Sequence, residues 1–309
     1  MTRLLIPLIV LSAACEPIAE GLDGNLAFGY DADDRLFPFD FGTPIAEGMG
    51  VDVLVYDDAQ SREPMTVSSA QAQPGTIAEV VGFEDNRISL AALAQGEAEV
   101  QVTSGELSDR FTLSVETLQT VELSYPGVLL VPAEPPIRVM QGGTTRFGAR
   151  LLDSAGRTLV GYGLAPVEIQ PESAGSQVET THVAHVSITF DELGEVTVTG
   201  QGSDPLTVEV VEPATLTGLD LEGLSGSQSL DDRRVFAVRG LDENDDNVFG
   251  LSGLISVLVD DETYCTVRPR PALGDSAYEV LGVMVGDCTV RATYDAHEVA
   301  ETFPIVEPQ

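Results

Sequence analysis

Gly194-Glu195-Val196-Thr197-Val198-Thr199-Gly200 places apolar side chains at alternate positions behind a glycine and an acid. Period two is the pattern of a half-buried β-strand. The same design stands at Gly96-Glu97-Ala98-Glu99-Val100-Gln101-Val102 and at Gly286-Asp287-Cys288-Thr289-Val290-Arg291-Ala292. The three glycines recur at a spacing of roughly 95 residues. Past each one, a matching closing piece follows: Val115-Glu116-Thr117, Val211-Glu212-Pro213 and Val306-Glu307-Pro308. A repeat of this length predicts three small all-β domains, at 25–117, 118–212 and 213–309. Domains of this size have thin cores, so a covalent staple in one of them is expected.

Outward from the key strands, each unit supplies further short strands separated by turn residues. In the second unit, Gly142-Gly143 precede a strand from Arg146 to Leu152 that ends at the turn Asp153-Ser154-Ala155-Gly156. Val167 with Ile169, then Val183 to Phe190, add more. The third unit follows the same plan through Val235 to Leu241, a turn at Asp242 to Asn247, Ile255 to Val259, Tyr264 to Val267 and Tyr278 to Val285. Short strands at this spacing predict tandem antiparallel β-sandwiches in an extended array. In the first unit, Val51, Val53 and Val55 alternate into Asp57-Asp58, and Phe28, Phe37, Phe39 and Phe41 are expected to fill its core. Ile88 to Ala94 has helical propensity, but its counterparts in the repeat are rich in β-branched residues, so register predicts a strand there.

The chain has 309 residues, 50 acidic against 15 basic, and a formal net charge of −35. Every basic residue is arginine. A surface so acidic repels phosphate backbones and anionic lipid, which excludes nucleic-acid binding as a function. At the start, Met1-Thr2-Arg3, the apolar run Leu4 to Leu11, and Ser12-Ala13-Ala14 have the three-part layout of a secretory signal, 1–14. Residues 15–24 read as a tether.

Two resemblances follow from these residues. The small residues before Cys15 resemble a bacterial lipoprotein signal, which implies that Cys15 carries lipid and that the chain meets the outer membrane through that lipid alone. Ser12 occupies the place of that family's usual leucine, so ordinary cleavage after Ala14 is the alternative. The order of a Gly-led strand, an Asp turn, middle strands, and Gly-acid-x-x-Val with a closing strand is similar to the bacterial immunoglobulin-like domains of group 2 type. That similarity covers 118–308 well and the first unit loosely. It implies an exported, non-enzymatic spacer or adhesion module that meets an envelope protein or glycan. A scaffold subunit of a larger envelope assembly is the alternative.

Candidate chemistry is sparse. By repeat register Cys288 takes the core-facing position of Ala98 and Val196, and export favours oxidation, so a Cys265–Cys288 disulfide is expected. Asp242-Glu243-Asn244-Asp245-Asp246-Asn247 packs oxygen ligands on one loop. Asp242, Asn244, Asp245 and Asp246 are thus candidate calcium ligands, with an ordinary acidic turn as the alternative. His182 and His185 lie three apart in a strand and face opposite sides, so they cannot share a metal. No cofactor besides calcium is indicated. No catalytic residues stand out: Gly-x-Ser-x-Gly is absent, and no histidine is placed to serve Ser276, which leaves a hydrolase the remotest reading.

Overall fold

The computed structural model describes residues 18–31, 39–58, 61–128, 131–180, 185–270, 273–274 and 276–308. Strands alternate buried and exposed side chains as the sequence period requires, and the described residues are all-β apart from two 3-10 turns, Glu172–Ala174 and Pro213–Thr215. The chain divides into two compact units: Met1–Pro44 with Val51–Val115, and Ile45–Gly50 with Glu116–Gln309.

The three repeated glycines open the strands Gly96–Ser104, Gly194–Gly200 and Gly286–Tyr294. Their φ angles of 145°, 108° and 153° lie where a side chain is strained. Ala98, Val196 and Cys288, two residues beyond, are each 1% exposed. Each strand forms an antiparallel hairpin with its successor, in the registers Gly96↔Val115, Gly194↔Val210 and Gly286↔Ile305. The segment with helical propensity is the strand Arg87–Ala92.

In the first unit, one sheet runs Ala19–Glu20, Ala27–Tyr30, Gly50–Tyr56, Arg87–Ala92, Ala78–Glu84, and the hairpin of Gly96–Ser104 and Leu107–Glu116 carries Ser69–Gln73 on its edge. Its core is aromatic. Phe28 and Phe111 have ring centroids 4.7 Å apart, and Phe41 lies 5.2 Å from Phe111 and 5.0 Å from Tyr30. Phe39 is half-buried, and Phe37 lies outside the described residues. The expected tether is in part structured. Ala19–Glu20 pairs with Ala27–Tyr30, and the carboxylate of Asp109 accepts the backbone N–H groups of Asp23, Asn25 and Leu26. Local composition misleads here, because the segment's partner is more than 80 residues away.

The second unit departs from a row of separate antiparallel sandwiches. One face is the sheet Thr120–Ser124, Thr144–Leu152, His185–Phe190, Gly175–Val178. Another is the sheet Gln228–Ser229, His297–Val306, Gly286–Tyr294, Ser256–Val259. A single nine-stranded sheet, which includes the hairpin of Gly194–Gly200 and Leu206–Val211, crosses the expected boundary at 212/213. Arg138–Met140 is the strand that joins it, running parallel to Leu206–Val211 on one side and to Asn247–Phe249 on the other. Ile45–Gly50, expected in the first domain, also belongs here: Gly50 and Tyr162 exchange both backbone hydrogen bonds at 2.9 Å.

Side chains close the same joint. Phe249 is buried in the core that holds Phe147, Val186, Ile188 and Phe190. Met140, Leu216, Val248 and Leu251 form a smaller buried cluster beside it. A Cβ at Gly143 would overlap the carbonyl oxygen of Gly250, so only glycine permits this approach. Apolar area buried on both sides of a three-residue strand makes the two sandwiches energetically dependent on each other.

Candidate functional site

Two of the acidic turns share one hydrogen-bond design. Asp153 Oδ1 accepts the N–H groups of Ala155 and Arg157, both at 2.8 Å, and its own N–H donates to the Arg157 carbonyl at 3.0 Å. Asp242 repeats the arrangement: Oδ1 accepts from Asn244 at 2.8 Å and Asp246 at 3.0 Å, and its N–H donates to the Asp246 carbonyl at 3.0 Å. Gly156, at φ 75°, and Asp245, at φ 64°, hold the same left-handed position. Asp57 makes a wider closure, accepting from Glu63 N–H at 3.1 Å and donating to the Glu63 carbonyl six residues on. An aspartate that hydrogen-bonds main chain two to four residues on fixes a tight turn without any ion.

The second carboxylate oxygen differs between the turns. In Asp153 it meets the Nε of Arg157 at 2.6 Å, within the turn itself. The Arg157 N–H and guanidinium hold this carboxyl below the ordinary range against the opposing effect of burial. In Asp242, 1% exposed, it meets Nη1 of Arg138, whose Nε reaches Glu209 at 3.2 Å. Arg138 thus ties the turn at 242–246 to the strand Leu206–Val211 through the joining strand. No sequence pattern marks Arg138, because its partners lie 71 and 104 residues away.

Of the four candidate calcium ligands, Asp242 is buried and already bonded to Arg138, while Asn244, Asp245 and Asp246 are exposed. Among the described residues, no group of three or more His, Cys, Asp or Glu is placed to hold a metal. A cation at Asp242 would have to displace a guanidinium. Millimolar calcium is therefore expected to leave the unfolding temperature of the chelator-treated protein unchanged; a rise lost in Asp245→Asn/Asp246→Asn would assign the turn an ion after all.

Cys265 and Cys288 form the expected disulfide, with Cα atoms 5.8 Å apart. They lie on Cys265–Pro269 and Gly286–Tyr294, in different sheets, so the bond staples one sheet of the last sandwich to the other. His185 opens the strand His185–Phe190 and is half-buried; His182 and Cys15 lie outside the described residues. An open groove of about 500 Å³ is lined by Tyr125, Pro135, Pro136, Ile137, Glu195 and Thr207.

No protein-family model matches the chain, and no curated protein sequence matches it. Solved structures do. A surface-layer protein SbsC fragment, domains 4–9, matches with a TM-score of 0.33 and 14% identity over 96% of this chain and 47% of that one. FdeC, an Escherichia coli adhesin, matches at TM-score 0.26 and 12% identity, covering 95% of this chain and 99% of that one. Invasin, a bacterial integrin-binding protein, matches at 0.27 and 14%, covering 91% and 60%. The chain spans about half the length of the SbsC fragment. These likenesses are of strand architecture and carry no activity across.

Proposed function

We propose that the chain is an exported, non-enzymatic β-sandwich module, anchored to the outer membrane by lipid on Cys15, that acts as a surface spacer and recognition element for an envelope protein or glycan. One observation carries this reading: Asp242 and Arg138 of the second unit are engaged in a turn and in the joint at Arg138–Met140, where they stiffen the chain. A module that holds a surface away from a membrane needs such coupling between neighbouring domains. The residues before Cys15 support export and lipid attachment.

A scaffold subunit inside the envelope is the second reading. Val283, Met284 and Val285, in the loop before Gly286, are each about 45% exposed, and three adjacent apolar side chains suit burial against another subunit. Protease added to intact cells that express the full chain separates the two. The proposal expects cleavage from outside and loss of fatty-acid labelling in Cys15→Ser. Protection in intact cells with cleavage only after the outer membrane is opened would favour the scaffold.

A further inference from the structure

Several arginines of this acidic chain are each shared between two carboxylates. Arg110 meets Asp23 and Glu99, and Arg291 meets Asp260 and Glu298. Around Glu279 the ratio is inverted. Its Oε1 accepts from Arg268 Nε at 2.9 Å and Nη2 at 2.8 Å and from Arg233 Nη1 at 3.4 Å, and its Oε2 accepts from Arg270 Nη1 at 3.3 Å.

Strand register explains the cluster. Glu279 lies on Ala277–Gly282, directly opposite Arg268 on one neighbour and Val235 on the other, and Arg233 is two residues from Val235 on the same face. The Glu279 side chain is 7% exposed, whereas those of Arg233 and Arg268 are 50% and 55% exposed. Setting Arg270 aside, two half-exposed guanidiniums still face one buried carboxylate. Glu279 orients them, and their outer edges keep donors for a second anion in the bidentate geometry arginine offers.

We propose that Arg233 and Arg268, oriented by Glu279, bind a carboxylate-bearing polysaccharide of the uronic-acid type; this rests on the reading of the chain as a surface recognition module. Thr266, exposed on the same face, offers a hydroxyl to a sugar. A second copy of the chain would bring a charge of −35 and be repelled as a whole. A short uronic-acid oligosaccharide brings one carboxylate per ring, a total charge far below that of a second copy.

The test titrates galacturonic-acid oligosaccharide, and its uncharged methyl ester, into the purified chain at low salt. The acid form is expected to bind, more weakly as salt rises, and the ester not. Arg233→Ser/Arg268→Ser is expected to weaken binding by roughly tenfold. Glu279→Gln is expected to tighten it, since the arginines lose a competing anion, whereas a purely structural role predicts lower stability without tighter binding. Unfolding midpoints of each variant confirm that it folds. Equal binding of the ester, unchanged binding in the double variant, absence of binding by the parent chain, or salt-sensitive dimers that the double substitution abolishes would each overturn the proposal. Surface cleavage of intact cells does not depend on this result, so either reading can fail alone.

Discussion

Asp242→Ala is expected to lower the unfolding free energy of the unit containing Glu116–Gln309 by about 3 kcal/mol. The substitution removes the carboxylate that accepts two main-chain N–H groups of the turn and the guanidinium of Arg138. Arg138 keeps Glu209, and its side chain is 28% exposed, so the loss falls short of a fully orphaned buried charge. Asp153→Ala makes the comparison sharp. Its turn is built alike, but its arginine partner sits in the same turn and is 59% exposed, so the loss there is smaller. Denaturant unfolding of both variants measures the difference. Equal losses would mean that Arg138 adds nothing to the joint beyond the turn's own hydrogen bonds.

Removing the disulfide gives the second large effect. Cys265→Ala/Cys288→Ala is expected to cost about 3 kcal/mol, because the bond closes a loop of 23 residues and so restricts the unfolded chain. The loss should appear with the parent protein under reductant as well. Both sulfurs lie in the core with Phe236, Val280 and Phe303, so reduction alone leaves packing nearly intact while the double alanine adds a small packing loss. A parent protein whose midpoint is insensitive to reductant, with two free thiols counted after denaturation, would contradict the staple.

The key strands were legible because two independent signals coincide in them. Alternation names the buried face, and the repeat fixes the register to the residue, so that Ala98, Val196 and Cys288 occupy one place in three hairpins. The same register pointed to Cys288 as a core residue and hence to the disulfide. The acidic turn at 242–246 was legible as a turn but ambiguous in purpose, since local sequence is alike for a calcium loop and for an aspartate that binds its own backbone. What separates them is Arg138, and nothing near Asp242 in the sequence announces it.

The joining strand was illegible for a related reason. Arg138–Met140 is three residues long, follows Pro135-Pro136, and pairs with strands on both sides of an apparent domain boundary. A period cannot be read from three residues, and parallel partners are set by tertiary placement. The segment 18–24 escaped similarly, its Asp23 N–H held by Asp109 from far along the chain. The Glu279 cluster left only Arg268 and Arg270 two apart, a spacing that names a face but not what lies across it.

Native-state hydrogen exchange across a denaturant series tests most directly whether the two sandwiches of the second unit are coupled through Arg138–Met140. Amides of Leu206–Val211, Arg138–Met140 and Asn247–Phe249 are predicted to merge into one opening reaction with the same free energy and denaturant slope. Openings of Leu206–Val211 and Asn247–Phe249 with distinct free energies and slopes would contradict that coupling and leave the two sandwiches as independent beads.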